Sequence, residues 1–421
     1  MKGRYLPWLI LGIFCFAASL GKPPYEEFIP VPPLASPLEQ MRDLGRPISL
    51  GLLACLLYFT GKTSQRFSPK SVPKSLQYLW LVQLVVALKN MIYGDAELAI
   101  ILLVAYTLFI YVMVNGVAKW IRRDGFDSAN SCLIIAIAIF SIANLYQVAQ
   151  NSYPLAVLNG QFNGTSNNPQ MAALTLISAV PCLMFQIEKK SSVFWEKVLY
   201  PVLLIVVLYF LWWTASRTGL IMAIATIVFF YRTRQGALLR VVGVMLTLLF
   251  VAVLFIQPDN FAGIGANDVG LSMASKLQEG TNTRTEAWTA LLNAFLDNPI
   301  FGAPLESDRL GFGESSWLAA GATVGMLGML PLLMFGFECL KSISAMLKIS
   351  RKMPAYYFHC SVVVSGIAGL LVGSIAEAFL LGVLSMPITA ILIFVLLGHY
   401  IQQEYEFAVA QQQQRQLAIA S

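Results

Sequence analysis

Arg217, Arg284 and Glu314 are charged side chains at the borders of long apolar runs. Arg217 lies in Thr214-Ala215-Ser216-Arg217-Thr218-Gly219-Leu220, where two such runs meet. Its planar guanidinium matches phosphate oxygens two at a time. The plainer alternative is an interfacial arginine snorkelling to lipid headgroups. Arg284 precedes an amphipathic stretch and is either an anion ligand or one half of an ion pair with Glu286 or Asp297. Two arginines converging on one membrane face would form a diphosphate clamp. Glu314 immediately precedes an apolar run. A carboxylate there suits a general base for a hydroxyl, or it is simply an acid favoured by a helix N-terminus with Ser315 or Ser316 as cap.

Weaker candidates surround these three. Residues 159–169 read NGQFNGTSNNP, uncharged and rich in amides. Turn chemistry explains most of that composition, yet amides also suit sugar hydroxyls, so Asn163 and Asn168, with Ser315 beside Glu314, are candidate glycan contacts. Lys89, near one end of an apolar run, either snorkels or faces a cavity. Gly311-Phe312-Gly313 is weak as a phosphate loop and fits a flexible lead into the next apolar run.

The elements that must hold these residues are membrane spans. The chain has 421 residues, of which 57% are hydrophobic and only 12% charged, with a mean hydropathy of +0.69. A soluble domain carries about 25% charged residues, so the composition excludes an ordinary soluble fold. The net charge of +6 comes without basic stretches interleaved with aromatics, which leaves nucleic-acid binding without support. The six cysteines lie in or beside apolar runs without CxxC spacing, and the only two histidines are His359 and His399. Neither a disulfide framework nor a metal site is expected, and no cofactor is.

A bilayer core needs about 20 apolar residues per helix. By that measure the expected fold is an all-α integral membrane protein with about twelve transmembrane helices, near 5–20, 47–61, 76–93, 97–115, 129–147, 169–186, 194–213, 217–231, 237–256, 317–337, 356–375 and 378–400. Lys2 and Arg4 before an apolar run also fit a signal peptide, but the topology favours an uncleaved first span. Basic side chains recur in every second loop, around Lys62–Lys74, Lys119–Arg123, Lys189–Lys197, Arg232–Arg234 and Lys341–Lys352. The positive-inside rule then puts both termini in the cytoplasm and the loops near 148–168, 214–217 and 257–316 on the opposite, periplasmic side of a bacterial inner membrane.

Four regions follow: spans one to nine over 1–256, a large periplasmic loop over 257–316, spans ten to twelve over 317–400, and a polar, frayed cytoplasmic tail over 401–421. The large loop holds three basic and eight acidic residues, a net of −5. Within it Trp288, Leu291, Leu292, Phe295 and Leu296 recur at helical spacing. They predict a short amphipathic helix along the membrane surface, ended by Asn298-Pro299.

From about Asn159 to Gly328 the chain resembles the bacterial O-antigen ligase and O-antigen polymerase superfamily. The resemblance rests on Asn167-Asn168-Pro169-Gln170-Met171-Ala172-Ala173, on Ala215-Ser216-Arg217-Thr218-Gly219, on Arg284-Thr285-Glu286-Ala287-Trp288 followed by Phe295-Leu296-Asp297-Asn298-Pro299-Ile300-Phe301-Gly302, and on Gly325-Met326-Leu327-Gly328. Ligases of the superfamily carry His, then Asn, Ser or Gln, nine residues, and Gly-x-x-Gly. Here Glu314-Ser315, nine residues, Gly325 and Gly328 keep the spacing with Glu in the His position.

The resemblance implies an inverting, metal-independent membrane glycosyltransferase of the C type, using an undecaprenyl-diphosphate-linked glycan as donor. Arg217 and Arg284 would bind the diphosphate and Glu314 would be the base. The departure from His fits a polymerase of O-antigen or exopolysaccharide units better than a ligase acting on lipid A core or a protein hydroxyl. A chain-length regulator is a conceivable partner of a polymerase. The competing class is a transporter of lipid-linked sugars, but the internal repeats and paired broken helices of many transporters are not evident in the sequence.

Overall fold

The computed structural model describes residues 5–21, 34–63, 73–155, 160–189, 193–233, 284–303, 314–382 and 384–420, with the backbone alone for residues 284, 415 and 417–420. The expected span near 237–256 and most of the loop 257–316 lie outside these residues. Among the described residues there is no strand, only one isolated antiparallel bridge between Leu155 and Phe162.

The helices in chain order are α1 (Leu6–Ala17), α2 (Leu38–Asp43), α3 (Gly45–Gly61), α4 (Lys74–Tyr93), α5 (Ala96–Val112), α6 (Ala118–Asp124), α7 (Phe126–Ala149), α8 (Pro169–Glu188), α9 (Phe194–Trp213), α10 (Arg217–Phe230), α11 (Arg284–Asp297), α12 (Ser316–Lys352), α13 (Tyr357–Ala376) and α14 (Met386–Ala420). Among the described residues, eight helical stretches are long and apolar enough to cross a membrane; α1, α3 and α10 are shorter apolar helices at positions where spans were expected.

The structure differs from the sequence reading in five places. The fourth stretch continues to Asp124 because a π-helical turn, Met113–Val117, joins α5 to α6 without a break. α12 runs to Lys352 and is kinked at Gly325. The last stretch does not start at 378: a 3-10 turn, Phe379–Leu381, precedes α14. The tail is helical through Ala420 rather than frayed. Finally, α11 packs one face along α12, a partner the sequence did not predict.

α13 and α14 sit at the centre of the bundle. Nearly every α13 residue from Cys360 to Leu370 is buried, as is the apolar run Ile388–Leu397 of α14. Small residues permit the close approach, as expected where helices pack without water between them. Gly366 lies under the Phe394 ring, Gly369 under Thr226 and Gly373 under Met222.

The basic ends of the helices gather at one end of the bundle. Trp8 Nε1 donates to Asp124 Oδ2 at 2.9 Å, Lys189 pairs with Asp127 at 2.8 Å, and Arg122 donates to Gln403 at 2.6 Å. Arg232 bonds Ser350 and Ser361 in the same layer. A cavity of about 290 Å³ opens here, lined by Asp124, Asp127, Tyr356, His359 and Tyr400. The candidate chemistry lies at the opposite end.

Candidate functional site

Of the helices that begin at that opposite end, α8, α10 and α12 start on caps next to candidate residues. Asn168 Oδ1 accepts from Met171 N at 2.7 Å and starts α8, with Pro169 at its first position. Ser216 Oγ accepts from Gly219 N at 3.0 Å and starts α10. Ser315 Oγ accepts from Leu318 N at 3.4 Å and starts α12. Each cap satisfies one of the donors a helix leaves unpaired at its start.

Arg217 is the first residue of α10 and is partly buried. The chain reverses just before it through Ala215, whose φ of 45° is left-handed. Thr214 Oγ1 holds the turn by accepting from Ser216 N at 3.2 Å. Free N–H groups and the helix dipole favour an anion at such a terminus, and the arginine adds a full positive charge.

The 160–168 segment packs against this turn. Phe162 N donates to Trp213 O at 3.0 Å and the Phe162 ring stacks on Phe210 at 4.7 Å. Asn163 N and Gly164 N share the Pro154 carbonyl. Gly164, at φ 59°, fits only without a side chain, since a Cβ would press on Phe140 and Asn144. Asn163 is only 2% exposed, and its Oδ1 has no hydrogen-bond partner among the described residues. Asn163 therefore faces the interior, and Asn168 serves a cap.

Glu314 lies one residue before the Ser315 cap. Its Oε2 is buried with no hydrogen-bond partner among the described residues. Its carbonyl accepts from Trp288 Nε1 of α11 at 3.1 Å. Seven residues further along each helix, Phe295 of α11 faces Gly321 of α12. Equal steps on both helices mean that α11 and α12 run side by side in the same direction. The first residue of α11 is Arg284, one turn before Trp288, so the backbone of Arg284 lies about 6 Å beyond Trp288, on the side where α12 begins. Trp288, Leu291 and Phe295 form the packed face, while Leu292 and Leu296 stay exposed.

After α11, residues 298–303 replace a turn of α12. Gly325, at φ 60° and ψ −158°, breaks the helix. The N–H of Met326 then donates to Pro299 O at 2.8 Å, and that of Leu327 to Ile300 O at 3.5 Å. Ala303 N donates to Ala322 O at 2.8 Å. Any Cβ on Gly325 would overlap the Ile300 carbonyl, and one on Gly302 would overlap the Thr323 backbone. The Gly325-x-x-Gly328 spacing and the Asn298-Pro299-Ile300-Phe301-Gly302 segment are thus two halves of one junction.

Lys89 of α4 completes that junction. It is 7% exposed, and its ammonium donates to the carbonyls of Phe301 (2.8 Å), Ala303 and Thr323. It therefore faces the protein, with the centroid of the Tyr93 ring 6.0 Å from its ammonium.

The two groups of candidate residues meet across the last turns of α13. On one flank Gly373 is covered by Met222 of α10 and Leu174 of α8. On the other, Trp317 Nε1 of α12 donates to Ser374 Oγ at 3.0 Å, and Ser316 Oγ donates to Glu377 O at 2.7 Å. α10 and α13 are antiparallel, with Gly369 beside Thr226 and Gly373 beside Met222. One more such step brings Glu377 level with Thr218, the residue after Arg217. Glu377 is 7% exposed and was not singled out in the sequence, where it falls in what read as a turn between spans. Its only signal is a lone charge between two apolar runs.

Among the described residues no three His, Cys, Asp or Glu side chains gather as a metal ligand set. Compared with known proteins, the chain matches no curated protein. Residues 202–309 match the family model described as O-antigen ligase, a stretch that contains Arg217 and Arg284 and stops short of Glu314.

Proposed function

From its place in the superfamily of O-antigen ligases and polymerases, we propose that this multi-pass membrane protein transfers a glycan from an undecaprenyl-diphosphate carrier at the periplasmic face of a bacterial inner membrane. The observation that carries this reading is the arrangement around α13. Arg217 at the start of α10 and Glu314 before the start of α12 stand on the two flanks of its final turns, and the Arg284 backbone is tied to the second flank through Trp288.

The chemistry follows from those positions. The acceptor hydroxyl oxygen attacks the anomeric carbon, the bond from that carbon to the diphosphate oxygen breaks, and the configuration inverts. Arg217 and Arg284 offset the charge that grows on the departing diphosphate. Glu314, whose Oε2 is buried without a hydrogen-bond partner among the described residues, takes the hydroxyl proton. The bilayer holds the polyprenyl tail and so fixes the donor's orientation in advance. The energy comes from the activated diphosphate bond, with no nucleotide or metal required. Twelve spans with cytoplasmic termini complete the proposed topology.

Polymerisation of O-antigen or exopolysaccharide units is the preferred reaction, because Glu314 replaces the histidine of the ligase pattern. Transfer to lipid A core is the second reading. Purified protein in nanodiscs, supplied with undecaprenyl-diphosphate oligosaccharide and EDTA, tests both. A glycan ladder from donor alone identifies a polymerase. Release of carrier only on addition of lipid A core identifies a ligase. Movement of the lipid across liposomes without release would replace both with a transporter.

A further inference from the structure

We propose that Lys89 is a positioning residue that locks α11, which carries Arg284, to α12, which follows Glu314. The inference rests on the glycosyl-transfer reading for its catalytic consequence, although the lock itself stands on geometry alone.

An ammonium has three N–H donors and no acceptor. Lys89 places them on three backbone carbonyls, two in the segment after α11 and one in α12. Those carbonyls are the ones the broken helix leaves over. In an unbroken helix the Thr323 carbonyl would accept from Leu327 N, but that N–H is turned to Ile300. In the 301–303 segment Gly302 N keeps one helix-type bond, to Asn298 O at 2.9 Å, while the Phe301 and Ala303 carbonyls accept from no backbone N–H among the described residues. Irregular backbone at the depth of a membrane persists only where its polar groups are satisfied within the protein. Met326, Leu327 and Ala303 satisfy part of the junction through backbone bonds, and Lys89 supplies the rest from a third helix.

The consequence concerns the site, not only the fold. α11 is described from Arg284 onward and is tied to α12 at three levels: Trp288 to Glu314, Phe295 against Gly321, and the 298–303 junction. Only the last is held by a charge, and only there does a third element, α4, bind both partners. With the junction fixed, α11 cannot slide along α12, and Arg284 keeps its height relative to Glu314. A diphosphate ligand displaced by about 1 Å relative to the base costs on the order of a hundredfold in rate.

The test combines a distance with a kinetic cycle in the full-length protein. Spin labels at Asn293 of α11 and Leu340 of α12, both exposed, after replacement of the exposed Cys55 by serine, should sit roughly 30 Å apart with a narrow distribution. Lys89→Met should broaden that distribution. In the unlabelled protein, Arg284→Lys should lower turnover about tenfold or more alone, yet less than threefold when Lys89→Met is already present, because a misplaced clamp has little left to lose. If Lys89→Met is not monodisperse, Lys89→Gln, with two remaining donors, replaces it.

An unchanged distance distribution overturns the lock. A broadened distribution with losses that simply multiply overturns the positioning role, since a general folding defect would do that. A wild-type protein inert in every glycosyl-transfer assay removes the proposed function instead, and the distance measurement then decides the lock by itself.

Discussion

Trp288 Nε1 donates to the carbonyl of Glu314 at 3.1 Å, so the helix that begins with Arg284 is bonded to the residue proposed as base. Trp288→Phe keeps the apolar packing and removes only this bond. A single hydrogen bond of this kind contributes about 1 kcal/mol, so thermal stability should change little. Turnover should fall severalfold if the bond sets the height of Glu314. Melting and turnover measured on one preparation separate the two effects.

Glu314→Gln keeps size and hydrogen bonding and loses basicity. Turnover should drop by roughly 10²–10⁴-fold, the usual contribution of a positioned base, with donor binding retained. Isothermal binding of the lipid-linked donor, beside a single-turnover assay, checks this. Wild-type turnover in the variant would remove Glu314 from the chemistry.

Arg217→Lys and Arg284→Lys keep the charge but not the planar fork. Each should lose about 10- to 100-fold in kcat/KM, equivalent to one charge-assisted bond of about 1.5–3 kcal/mol. The loss should be larger with a diphosphate donor than with a monophosphate analogue. Equal losses on the two donors would argue against a diphosphate clamp.

Gly325→Ala should be far more damaging than Gly328→Ala. Gly325 combines a positive φ with a backbone carbonyl, that of Ile300, in the space a Cβ would take. Gly328 has no positive φ, and its nearest obstacle is the Val324 side chain, whose Cγ2 can rotate away although its Cβ, at 2.9 Å, moves only with the backbone. Left-handed strain alone costs about 1–3 kcal/mol, and the overlap adds to it. Thermal melts of both variants in one detergent rank them.

The sequence made the eight long apolar helices legible because a run of apolar residues needs only local counting. It predicted a short amphipathic helix from the spacing of Trp288, Leu291, Leu292, Phe295 and Leu296, ended by Asn298-Pro299 and with Arg284 just before it; the structure has a helix there that starts at Arg284 itself and ends at Asp297. What that helix packs against was not legible. The pairing of 298–303 with 322–327 joins segments whose side chains have little part in the bond; the partners are backbone groups, which leave no trace in residue type. For the same reason Lys89 was undecidable: its three acceptors are carbonyls. Gly325 and Gly328 were visible as spacing, but only the kink explains why the first must be glycine. Glu377 went unnoticed because its significance depends on the register between α10 and α13. The roles proposed for Arg217, Arg284 and Glu314 rest on the family resemblance; the matched segment contains the two arginines and ends before Glu314.

The ammonium of Lys89 also bears on how the protein enters the membrane during synthesis. α4 is the least hydrophobic of the eight candidate spans, with a hydropathy of 1.2, and it carries Lys89. The first carbonyl that compensates this charge is 212 residues downstream. A lysine at the middle of a span disfavours insertion by about 2.5–3.5 kcal/mol, and by less near an end. A nascent chain that stops before residue 301 therefore leaves α4 marginally committed to the bilayer. The order of synthesis and the order of insertion need not be the same in this protein.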